Sequence, residues 1–202
     1  MRIDTEADPK IAVNRFPWMW ALSVYVISYG LILTFLSSYF WDDWVIYYRK
    51  SDHAVEQALR IRGDWPTRAF FESTILGSRP ELFKILTLVA YFAAAWLLFH
   101  ILSTLNFLKN NQVRLITILF LILPINSARV AMVDFAYACS LLLFFWAWFL
   151  LVKKSSWYKD FSAVVLFILS FGATASLLVF LIVPCIHRLY LRLSDSSSGR
   201  SR

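Results

Sequence analysis

The sequence predicts an all-α fold: a polytopic transmembrane helix bundle of five or six segments, with short amphipathic helices on the interface in the first outer loop. Three observations predict it. The 202 residues are 59% hydrophobic and only 16% charged, against about 25% charged in soluble domains. The charges gather in clusters between long stretches that carry none. Trp and Tyr stand at the ends of the first of these stretches, as in the aromatic belts of membrane proteins. The same composition excludes a disordered chain.

The first stretch, Phe16 to Trp41, has 26 residues and no charge. As a helix it measures about 39 Å, enough to cross the hydrocarbon core and enter both interfaces. Pro17 suits a first helical turn, where its missing N–H costs nothing. The run is too long for the apolar region of a cleavable signal peptide, and no small-residue cleavage site follows it. From Asp42 to Lys84 the composition changes: seven Lys or Arg and seven Asp or Glu appear, with Gly63, Pro66, Gly77 and Pro80 as breakers. This is a water-facing loop. Within it, 51–62 and 67–76 each place apolar residues on one helical side, which predicts short helices lying on the membrane surface.

Ile85 to Leu108, interrupted only by His100, predicts a second span that ends at the polar turn Lys109-Asn110-Asn111-Gln112. Leu115 to Ile125 is too short to cross alone, so other helices should shield part of it. Val130 to Val152, apolar except for Asp134, predicts a further span. Phe161 to Ile186 reads Ser170-Phe171-Gly172-Ala173-Thr174-Ala175-Ser176 in its middle. A break near Gly172 would make two short helices and return the chain to its starting side, with the non-helical backbone covered by protein or water. Six segments are therefore preferred to five.

The domain organisation that follows is a cytoplasmic N-terminus over 1–15, a transmembrane domain over 16–190 that includes the outer loop 42–84, and a disordered polar tail over 191–202. Charge bias sets the orientation. With the N-terminus cytoplasmic, Lys109, Arg114, Lys153, Lys154, Lys159, Arg188 and Arg192 fall inside, and Arg129 is the one basic residue in an outer short loop. The large loop carries seven basic residues and argues the other way, so the short loops decide. The expected place is a cell membrane, multi-pass.

The net charge of +7 is spread along the flanks of apolar runs and not gathered in one arm or face. It suits membrane lipids as partners and gives no support to a nucleic-acid partner. Cys139 and Cys185 lie in apolar runs and read as small hydrophobes, without disulfide or metal-ligand spacing. His53 and Glu56 have no third ligand at matching spacing, so no metal site is assigned. His100 and His187 read as interfacial or packing residues. The sequence lacks a phosphate-binding Gly-rich loop with Lys, His-Glu-x-x-His, and Gly-x-Ser-x-Gly, which removes support for the corresponding chemistries.

The string Tyr39-Phe40-Trp41-Asp42-Asp43-Trp44 is the most informative. Two carboxylates at a membrane boundary need pairing or hydration. Adjacent side chains do not share a helical face, so they suit different tasks, one as a base and one as a metal or partner ligand. A low dielectric and the neighbouring charge raise at least one pKa, which suits abstraction of a sugar hydroxyl proton. Both also fit simple markers of the water boundary. Asp134, inside a predicted span, fits either an ion pair with Arg129 or a polar role in a substrate cavity. Trp41, Trp44 and Trp65 suit lipid or core contacts more readily than a sugar-stacking platform, although they stand at the level of a glycan cleft.

An aromatic-flanked Asp-Asp pair after the first transmembrane helix, then a long outer loop with surface helices, then a hairpin-rich membrane core resembles the GT-C superfamily of integral membrane glycosyltransferases. Trp41-Asp42-Asp43-Trp44, Arg79-Pro80 and the Pro124-to-Arg129 loop look most like bacterial enzymes that glycosylate surface polysaccharide or lipopolysaccharide. The likeness covers roughly 16–190, matches the N-terminal portion of such enzymes, and rests on the Asp-Asp motif as its one specific element. Members usually carry several more transmembrane helices. The resemblance implies a bacterial inner membrane, a polyprenyl-phosphate sugar donor and a carboxylate base in the first outer loop: Asp43 as base, with Asp42 positioning the acceptor or a divalent cation. A lipid-phosphate donor then calls for cations, and guanidinium binds phosphate bidentately. Arg129 and Arg79, on the same predicted side as the aspartates, take that role, although each also suits a solvated interfacial charge. A second reading is a non-catalytic multi-pass protein that scaffolds or partners a longer membrane transferase. A third is a small transporter component, in which Asp134 would matter more than Asp42 and Asp43.

Overall fold

The computed structural model describes residues 16–29, 80–105, 107–123, 134–153, 156–173 and 175–198. All regular structure among them is helical: α1 (Trp18–Ser28), α2 (Pro80–Leu102), α3 (Asn110–Ile122), α4 (Asp134–Val152), α5 (Trp157–Ala173), a 3-10 segment (Ala175–Leu181) and α6 (Ile182–Ser198). Within α2 and α4, Lys84–Leu102 (19 residues) and Phe135–Val152 (18 residues) are long and apolar enough to cross a membrane.

α1 lies antiparallel to α2, held by rings at one end and a hydrogen bond at the other. Phe16 and Trp18 pack on Phe99 with centroids 4.8 and 5.6 Å away. One end up, the Tyr25 hydroxyl donates to the Leu88 carbonyl at 3.3 Å. α4 packs most extensively on α5 and α2. The sequence allows this close approach by placing small residues in the contact: Ala94, Ala147 and Ala163 are completely buried in one cluster, and Ala95 and Ala138 in its neighbour. Small residues at such positions let helix backbones approach, which is how helices associate where burial from water contributes little. Large rings fill the space around them, as where Phe144 meets Phe167 edge-on at 5.3 Å.

The short third run is partly shielded, as its length predicts. Val113, Thr117 and Leu121 are buried at i, i+4 and i+8, while Leu115, Ile116 and Leu119 face outward. α3 starts already at Asn110, inside the polar turn, because the Gln112 side-chain oxygen accepts the Lys109 N–H at 2.8 Å and satisfies one of the donors left open at a helix start. Hydroxyls bond back to carbonyls one turn earlier: the buried Thr117 donates to the Val113 carbonyl at 2.9 Å, and the exposed Ser103, just past α2, to the Phe99 carbonyl at 2.7 Å.

The break expected near Gly172 falls after Ala173, where α5 ends and the 3-10 segment follows. A helix end leaves its last carbonyls without partners. Here the buried Ser140 hydroxyl of α4 donates to the Ser170 carbonyl of α5, so a neighbouring helix covers part of the break. The chain then reverses, since Arg188 of α6 returns to Asp160 at the start of α5.

One expectation is corrected. The disordered tail predicted from 191 is helical through Ser198. Ile182, Ile186, Leu189 and Leu193 continue one apolar stripe at i, i+4, i+7 and i+11, and extending an existing helix adds a hydrogen bond per residue without a new nucleation cost. Among the described residues, large apolar side chains face outward on several helices. Met19, Ile27, Val89, Trp96, Trp146 and Phe161 are exposed large hydrophobics on four different helices.

Candidate functional site

Trp41, Asp42, Asp43, Trp44, Arg79 and Arg129 lie outside the described residues, as do His53 and Glu56. Asp134 opens α4 by its backbone, and its side chain is outside the description. The functional side chains that can be built up from contacts stand at the two ends of the described bundle.

At one end α4, the end of α2 and α6 converge on His187. The Trp148 indole N–H of α4 donates to His187 Nδ1 at 3.1 Å. An indole nitrogen only donates, so Nδ1 carries a lone pair and the proton sits on Nε2. Nε2 is 2.9 Å from the Thr104 hydroxyl oxygen, and that hydroxyl itself donates to the Ile101 carbonyl at 2.6 Å. The relay therefore has one consistent direction: Trp148 to His187 to Thr104 to Ile101. It leaves His187 no free lone pair with which to act as a base, and so the ring positions helices. The packing role read from the sequence suits it. His100 is also ringed by aromatics, edge-on to Trp96 at 4.4 Å and to Phe99 at 5.5 Å.

Beside this relay, Arg188 and Asp160 form a two-pronged pair, Nη1 to Oδ1 at 2.8 Å and Nη2 to Oδ2 at 2.6 Å. The bonds to Asp160 raise the Arg188 pKa above its usual value. Guanidinium and carboxylate planes match, which fixes α6 on α5 in both position and angle. Sequence reasoning missed this pair, because 28 residues separate its members and no local spacing connects them.

Burial lowers the His187 pKa below the ordinary 6.5. The unfolded chain then binds more protons than the folded one below that pH. The stabilisation is present in full above about 6.5 and is lost as pH falls from there through the folded-state value. Protonation would also set an Nδ1–H against the Trp148 N–H. The melting temperature in detergent should therefore fall between pH 7.5 and pH 5, and His187→Gln, whose amide can both accept and donate, should flatten that dependence. An equal slope in the variant removes His187 as its source.

At the other end of α2, Lys84 and Thr87 are completely buried and Tyr91 nearly so. Their spacing, i, i+3 and i+7, puts them on one helical face. The sequence reading assigned Lys84 to the edge of the water-facing loop. The signal that could have placed it inside was this polar stripe entering an apolar run. A buried ammonium is costly without acceptors or a counter-charge, so Lys84 marks a polar interior at that end. Among the described residues no group of three His, Cys, Asp or Glu is placed to hold a metal ion, and Cys139 and Cys185 are free thiols.

No family model, curated protein or solved structure matches this chain.

Proposed function

We propose that this chain is a multi-pass membrane protein with a cytoplasmic N-terminus, and that it is a GT-C-like glycosyltransferase or a module of one. It would take a sugar from a polyprenyl phosphate and transfer it to a cell-surface glycan or lipid acceptor. The membrane part of the reading is supported by two helices of spanning length and by large apolar side chains facing outward on α1, α2, α4 and α5. A water-soluble monomer rarely exposes contiguous apolar patches beyond a few hundred Å². The ion pair of Arg188 with Asp160 brings α6 back to the start of α5, which supports a return of the chain to the side from which α5 leaves.

The observation that carries the catalytic part is the string Trp41-Asp42-Asp43-Trp44, directly after the first uncharged run. In this reading Asp43 takes the acceptor hydroxyl proton, Asp42 positions the acceptor or a divalent cation, and Arg129 and Arg79 hold the donor phosphate. Trp41, Trp44 and Asp134 line the acceptor side. Membranes from cells carrying the gene, given a radiolabelled polyprenyl-phosphate sugar, should label a surface glycan that membranes from a deletion strain do not label. Identical labelling in the two, with unchanged sugar composition of the surface glycan, overturns the reading.

A further inference from the structure

The apolar stripe of α6 does not stop where the bundle stops. His187 and Arg188 are level with Thr104, at the end of α2, and with Asp160, in the first turn of α5. Leu189 and Leu193 lie beyond that level on the same helix, and Ile182, Ile186, Leu189 and Leu193 are exposed by 57 to 62%. The ten residues after Arg188 add about 15 Å of helix. Standing straight into water, this helix would leave two leucines hydrated. Lying along a leaflet, it buries them.

The surroundings of the stripe select the leaflet's chemistry. Lys109, Lys153 and Arg192 are exposed near this end, on the α2–α3 connection, the end of α4 and α6. Asp160, the acid in the middle of the group, is engaged by Arg188, so among the described residues this surface carries a surplus of positive charge. Exposed aromatics accompany it: Trp157 is 81% exposed, and Phe107 packs edge-on against Tyr190 of α6 at 6.1 Å. Trp and Tyr at the headgroup level, with Lys and Arg beside them, are the side chains that interfaces favour. A second copy of the chain would bring the same positive surface against this one. A neutral leaflet would leave the charges without complement.

We propose that this end of the bundle binds acidic phospholipid headgroups, with the part of α6 beyond Arg188 held against the leaflet by Leu189 and Leu193. The proposal rests on the membrane reading above and adds a lipid class and the residues that select it. Lys109, Lys153 and Arg192 hold headgroup phosphates, and each basic residue near such a surface strengthens the attraction. The Arg188–Asp160 pair and the His187 relay fix the angle at which α6 leaves the bundle.

The full chain, with Cys139→Ser, Cys185→Ser and Leu189→Cys carrying an environment-sensitive fluorophore, is reconstituted in phosphatidylcholine nanodiscs with and without phosphatidylglycerol. Lipid retention is read in parallel by native mass spectrometry. The expected result is retention of phosphatidylglycerol over phosphatidylcholine, with the label quenched by brominated lipid more strongly in the acidic discs. Replacing Lys109, Lys153 and Arg192 together with Gln should lower that preference more than about tenfold. Equal retention of both lipids, or a preference unchanged in the triple variant, overturns the proposal and leaves the membrane reading intact. Label–label contact between copies in place of lipid quenching overturns it in favour of a self-association face. Release of the chain from native membranes by alkaline carbonate overturns the membrane reading itself.

Discussion

Trp148→Ala should destabilise the bundle by about 2–4 kcal/mol. The indole is nearly buried, packs against Phe144 and Phe145, and donates to His187 Nδ1. Its removal leaves a cavity between α4 and its neighbours and a buried ring nitrogen without its donor. Full removal of a large aromatic from a water-soluble core costs about 3–5 kcal/mol. The transfer part of that figure shrinks where the alternative environment is lipid, and the cavity part remains. Trp148→Phe keeps most of the volume and loses the donor, so it should cost about 1–3 kcal/mol. Reversible unfolding in mixed micelles, followed by helical circular dichroism, separates the two variants. Equal losses in both would mean that the hydrogen bond, and not the packing, holds α4 to α6.

Asp43→Asn should lower glycan transfer by about 10²- to 10⁴-fold, the range that a positioned general base contributes. The substitution keeps shape and removes the ability to accept a proton. Asp42→Asn should act mainly on the apparent KM for the acceptor, because the proposed function gives that carboxylate a positioning role and gives the proton to Asp43. The check is initial-rate transfer in native membranes, with the amount of protein held equal by quantitative blotting. Unchanged transfer in both variants would return the pair to the role of boundary markers and favour the scaffold reading.

The helical class was legible because it depends on composition and run length, which a sequence displays directly. α2 and α4 follow from uncharged runs, and the turn after α5 follows from the small residues Gly172 and Ala173 next to Ser170. The level of each polar residue was less legible. Lys84 closes a charged loop in the sequence and is completely buried in the structure, and burial depends on tertiary neighbours that local sequence does not display. His187 and Arg188 looked like ordinary residues at a span end. Their partners are Trp148, Thr104 and Asp160, from 28 to 83 residues away, and only the fold brings these together. The tail from 191 was misread because its Ser-rich end hides the stripe that Leu189 and Leu193 continue. The acidic pair is the reverse case, plain in the sequence and outside the described residues.

In the proposed topology the apolar helices cross a membrane, with the loop 42–84 on one side and the turns after α2 and α4 on the other. Single-cysteine labelling with a membrane-impermeant maleimide measures this directly, in a chain with Cys139→Ser and Cys185→Ser. Asp52→Cys should label in intact spheroplasts, whereas Asn111→Cys and Ser156→Cys should label only after the membrane is permeabilised. Labelling of Asn111→Cys or Ser156→Cys from outside, with Asp52→Cys protected, would contradict the account.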